Sequence, residues 1–88
     1  MPRYRRSADV LSAEVGDDVV ALQAVRGFAY GMEGVTAAVW QQLEAPVSLD
    51  QIVTALGDEY EVEAEQCRGE VVDLIHQFVG EGLVEEVA

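Results

Sequence analysis

Residues Gly27-Phe28-Ala29-Tyr30-Gly31-Met32 place a large apolar side chain at every second position, with small residues between. That alternation is the pattern of a strand with one apolar face. Directly after it, Glu33–Leu43 reads as a helix, with Val35, Val39 and Leu43 at i, i+4 and i+8 and Trp40 beside them. The period changes at this point from that of a strand to that of a helix. The apolar pattern upstream is strand-like and the pattern downstream is helical, so the chain reads as α+β.

Upstream, Val10–Val15 and Asp18–Gln23 read as strands, and Gly16-Asp17 between them is a hairpin turn signal. Ala24–Gly27 connects to the third strand, completing an antiparallel meander. Residues 1–7 are basic and contain a proline, and are expected to be a flexible tail. Residues 8–88 are expected to form one domain, because a chain of 88 residues has room for a single modest core.

Downstream, Pro46 ends the first helix. Ser48 and Gln51 have capping-box spacing, and Val47 with Ile52 fits a hydrophobic staple. Ile52, Val53 and Leu56 give this second helix its apolar face, and Gly57 is its expected C-cap. A longer third helix is expected from about Glu63 to Glu81, stopped by Gly82. Its stripe of Cys67, Val71, Leu74 and Phe78 is widened sideways by Val72, Ile75 and Val79, with Arg68 on that edge. The apolar arc spans roughly 160°, against about 100° for an ordinary surface helix. Either the helix is deeply buried, or one edge borders a groove for a partner. Leu83-Val84 and Val87 read as a brief strand or as packed coil. The expected architecture is a three-stranded antiparallel sheet followed by a three-helix, winged helix-turn-helix-like bundle.

Charge narrows the partners. Formal net charge is −12, and Arg3, Arg5 and Arg6 supply three of the five basic residues. The rest of the chain sets Arg26 and Arg68 against all 17 acidic residues. Such a body repels nucleic acid and anionic membrane and favours a basic or neutral partner, although the same excess of acid also serves solubility. The single cysteine, Cys67, excludes an internal disulfide and lies on the apolar stripe, as a small buried hydrophobe would. The one histidine, His76, has no cysteine at metal spacing and reads as a surface residue. Glu59, Glu61, Glu63 and Glu65 alternate near a helix start, where acids complement the helix dipole. No phosphate loop, dinucleotide fingerprint or serine elbow occurs. The expectation is therefore a protein that is not an enzyme and takes no cofactor or metal. With neither an apolar signal region nor a membrane span, it is expected in the cytoplasm.

From Asp9 to Val84 the chain resembles the PqqD-like family, the RiPP recognition elements. The resemblance rests on Asp18-Val19-Val20-Ala21-Leu22, on Gly27-Phe28-Ala29-Tyr30-Gly31-Met32 and on the aliphatic–tryptophan pair Val39-Trp40. It continues through Ser48-Leu49-Asp50-Gln51-Ile52-Val53, Leu56 and Glu59-Tyr60-Glu61-Val62. It ends with Glu70-Val71-Val72-Asp73-Leu74 and Gly82-Leu83-Val84. Glu33 departs from the family's usual Asn or Asp cap, and Glu70 stands where Asp is common. The resemblance implies binding of the leader segment of a ribosomally made precursor peptide, added as a strand to the third strand's edge against the third helix. The leader would then be presented to a modifying enzyme or leader peptidase, with a lasso-peptide pathway favoured. The expected peptide-binding residues are Arg26, Phe28, Tyr30, Arg68, Val72, Ile75, Val79 and Asp73, and core packing is the alternative role for the two aromatics.

Two other readings compete. A winged-helix DNA binder would need a basic recognition helix, whereas the third helix carries one Arg and many acids. A small acidic interaction module would use the apolar arc of the last helix as its interface.

Overall fold

The computed structural model describes residues 2–60 and 63–87. Its elements are β1 (Arg3–Arg6), β2 (Val10–Val15), β3 (Asp18–Gln23), β4 (Phe28–Met32), α1 (Gly34–Gln42), β5 (Val47–Ser48), α2 (Leu49–Tyr60), α3 (Ala64–Gly80) and β6 (Val84–Val87). Glu61 and Val62, part of the acidic alternation and of the family pattern, lie outside the described residues.

The meander forms as its sequence requires. Strand order is β2-β3-β4, with Val15 opposite Asp18 and Val19 opposite Met32. Gly16 supplies the left-handed backbone of the first turn at φ 64. Val19, Ala21 and Gln23 are buried on one face of β3 while Val20 and Leu22 are exposed on the other.

The flexible tail expected over residues 1–7 is corrected by the structure. Arg3–Arg6 is the central strand of a second antiparallel sheet, ordered β5-β1-β6. Arg5 lies opposite Glu85, and its Nε donates to Glu85 Oε1 at 2.6 Å. A basic strand here meets the acidic strand at the other end of the chain, and opposite charges directly across a ladder favour that register. Arg6 points inward and donates to the Trp40 carbonyl from Nη2 at 2.8 Å. Its guanidinium carbon also lies 4.8 Å from the centre of the Trp40 ring. Burial lowers the Arg6 pKa, opposed by Glu44 and Glu14.

The helices follow from their caps. Gln51 N–H donates to Ser48 Oγ at 3.2 Å and Ser48 N–H to Gln51 Oε1 at 2.9 Å, which is the reciprocal capping box. Gly57 does not end α2, which continues to Tyr60. No breaker follows Gly57, and one interior glycine costs only about 1 kcal/mol. The N-cap of α1, Glu33, makes no side-chain capping bond. At the end of α3, Gly82 N–H donates to the Val79 carbonyl and Leu83 N–H to the Phe78 carbonyl, a Schellman motif closed by Gly82 at φ 77.

The core lies between the meander, the helices and β6. Trp40, Leu43, Ile52, Leu56, Ile75 and Leu83 are fully buried, and Trp40 meets Phe78 edge-to-face at 5.6 Å. In α1, Ala37, Ala38, Val39 and Trp40 are all buried in succession while Val35 is exposed. The helix is thus wedged on several sides rather than docked by the single stripe through Val35.

Candidate functional site

Among the described residues strand β4 pairs with β3 alone, and so forms an open edge of the meander. An open edge offers unpaired N–H and C=O groups to an extended chain. Phe28, Tyr30 and Met32 point to the same face: Met32 is buried, while Phe28 and Tyr30 are half-buried against the core. The two rings meet edge-to-face at 4.9 Å, which holds both in place. The two aromatics pack inward and keep an accessible portion.

The start of β4 is fixed to the end of α3. The buried Gln23 amide donates to the Gly82 carbonyl at 3.0 Å and accepts from the N–H groups of Val25 and Arg26. Arg26 Nη1 donates to the Gly80 carbonyl at 3.0 Å. Arg26 therefore caps the negative end of α3 while remaining at the surface. Desolvation first, and then the Glu81 carboxylate beside it, raise the Tyr30 pKa, with Arg26 opposing. Glu81 shares an i, i+4, i+7, i+11 stripe with Glu70, Leu74 and Gln77, and Leu74 also packs against the core edge. The Glu81 end of this flank stands beside Tyr30 of β4.

The remaining expected residues fall elsewhere on α3. Ile75 is fully buried and belongs to the core, which corrects its assignment to a peptide pocket. Arg68, Val72 and Val79 lie on the opposite flank. Arg68 pairs with Asp50 in the first turn of α2 and borders a hollow with Pro2 and Leu49. Val79 shares a depression with Tyr4, His76 and Glu86, on the side of the β1–β6 sheet. Asp73 is exposed, one helical position outside the Glu70–Gln77 stripe. That opposite flank borders the second sheet, which the sequence reading lacked. Leu74, which the sequence places in the core stripe, is half-buried, and Gln77 stands exposed beside it on the same flank. The i, i+4, i+7 spacing of Glu70, Leu74 and Gln77 sets that shared flank.

Among the described residues, no group of three or more His, Cys, Asp and Glu side chains is placed to hold a metal, and no helix is long and apolar enough to cross a membrane. Cys67 is buried and unpaired with another cysteine.

These features define a small α+β domain with an open sheet edge beside its longest helix. The chain belongs to the PqqD family: the profile described as Coenzyme PQQ synthesis protein D (PqqD) matches residues 7–84. A solved structure described as "TbiB1 in Complex with the TbiA(beta) Leader Peptide" superposes with a TM-score of 0.89 at 28% identity, covering 96% of this chain and 98% of that one. A second, "Lasso peptide synthetase B1 complexed with the leader peptide", shares the fold at a TM-score of 0.81 and 21% identity, over 93% of this chain and 96% of that one. No curated protein sequence matches significantly.

Proposed function

We propose that this protein is a discrete leader-peptide-binding element of a lasso-peptide type pathway. It takes up the leader of a ribosomally made precursor and delivers it to the modifying enzyme or leader peptidase. It performs no chemistry of its own, and it acts in the cytoplasm, where the precursor is made. The observation that carries this reading is the open edge of β4 beside α3, in a chain 28% identical to a protein solved with a leader peptide.

The leader adds as a strand to β4. Backbone pairing supplies affinity, and alternate side chains settle against Phe28, Tyr30 and the Leu74–Gln77 flank. Arg26 and Glu81 stand at the α3 end of this groove. Asp73 is the outer acidic contact for a basic leader residue. The Arg68–Val72–Val79 flank takes no part.

Fluorescence polarisation with a labelled leader, taken from the short precursor gene beside this one, tests the proposal. Saturable binding near micromolar is expected, with none to a scrambled peptide or duplex DNA. Leu74→Glu should weaken binding about tenfold or more, and Val79→Glu should leave it unchanged, each with thermal melts to establish folding. Loss in the Val79 variant alone would place the groove on the other flank.

A further inference from the structure

The inward row of β3 is Val19, Ala21 and Gln23, and all three are buried. An apolar residue is the ordinary occupant of such a third position, because a buried amide adds little net stability even with its hydrogen bonds made. Gln23 and Ser48 are the buried polar residues among those described, and the capping box accounts for Ser48. Gln23 uses its amide to join two elements. Its Oε1 accepts from the N–H groups of Val25 at 2.7 Å and Arg26 at 2.9 Å, which shapes the turn into β4. Its Nε2 donates to the Gly82 carbonyl at 3.0 Å, 59 positions along the chain and just past the end of α3. Arg26 runs a second strut to the Gly80 carbonyl. Both struts stand at the Phe28 end of β4. Among the described residues no hydrogen bond joins α3 to the Met32 end.

We propose that Gln23 is a positioning residue for the leader. It does not touch the peptide, since it is 3% exposed. With Arg26 it pins the Phe28 end of β4 to the end of α3, and so sets the width of the groove that the peptide enters. The inference rests on the leader-binding reading above. A strand added to β4 lies about 4.8 Å from it. Its side chains must at the same time meet the α3 flank at Leu74 and Gln77. Both conditions hold only over a narrow range of spacing between β4 and α3. Apolar packing alone fixes such a spacing loosely, whereas hydrogen bonds to two carbonyls limit both distance and direction. A groove held at one end and open at the other admits an extended chain from the side without losing its alignment. Little ordering is then left for the moment of binding. Arg26, committed to Gly80, acts as the second strut rather than as a leader contact.

The test measures leader affinity of the full chain by fluorescence polarisation, at a temperature where each variant is folded, together with its thermal midpoint. Gln23→Met keeps the volume and removes all three hydrogen bonds. Gln23→Glu keeps both acceptors within the turn and removes only the donation to Gly82. Each should bind leader about tenfold more weakly than wild type. Ser48→Ala, which loosens the start of α2 outside the groove, should lower the midpoint and leave leader affinity unchanged. Amide exchange in the leader complex adds a readout that stability alone would not move. In the Gln23 variants, protection should fall at the Phe28 end of β4 and persist at the Met32 end. Arg26→Met serves if both Gln23 variants unfold, with about threefold weaker binding that Arg26→Lys restores. Wild-type affinity in every folded Gln23 and Arg26 variant would overturn the inference. So would a loss in Ser48→Ala equal to that in Gln23→Glu, since the effect would then be one of stability. If the wild type itself binds no leader, the leader-binding proposal fails and carries this inference with it. If the wild type binds and the variants bind as well, the inference fails alone.

Discussion

Arg6 and Trp40 join the second sheet to the helical core. Trp40 is fully buried between Phe78 and Arg6, and its indole N–H has no hydrogen-bond partner among the described residues. Its worth therefore lies in packing. Trp40→Ala should cost about 3–5 kcal/mol in a denaturant titration, and an unchanged midpoint would contradict its place in the core. Gly82 is a backbone requirement: its φ is 77, and an added Cβ would stand 3.1 Å from Arg26 Nε and 3.2 Å from Gln23 Nε2. Gly82→Ala should destabilise by about 1 kcal/mol or more and loosen the contact between the β4 turn and α3. The capping box was legible residue by residue, because both partners are local and their geometry is fixed by spacing. Removing it with Ser48→Ala should cost about 1 kcal/mol, read as a lower thermal midpoint.

At the scale of elements, local periodicity revealed the meander, α1 and the extent of α3. It did not reveal the sheet built from the two chain ends. Pairing over a separation of about 80 residues leaves no periodic mark, and a four-residue strand is too short to show alternation against its three arginines. The signal present was charge: Arg3-Tyr4-Arg5-Arg6 faces Val84-Glu85-Glu86-Val87. The same sheet borders the Val79 side of α3, where Val79 and Glu86 share a depression. Phe28 and Tyr30 were legible as a shared face, since strand alternation alone sets it. Removing residues 1–6 should lower stability by about 2 kcal/mol through loss of Tyr4 burial and the Arg6 contacts. Amide exchange over Val84–Val87 should accelerate with it; unchanged protection there would mean β6 holds without β1.

The molecule as a whole is an acidic body with an open strand edge on one side and an apolar sheet face around the corner from it. Its net charge of −12 disfavours nucleic acid and favours a basic or neutral partner. The most direct test of strand addition is hydrogen–deuterium exchange with and without saturating leader peptide. The account predicts new protection of backbone amides within Phe28–Met32, with β1, β5 and β6 unchanged. Protection confined to the Arg3–Arg6 and Val84–Val87 sheet, with β4 exchanging as before, would contradict it.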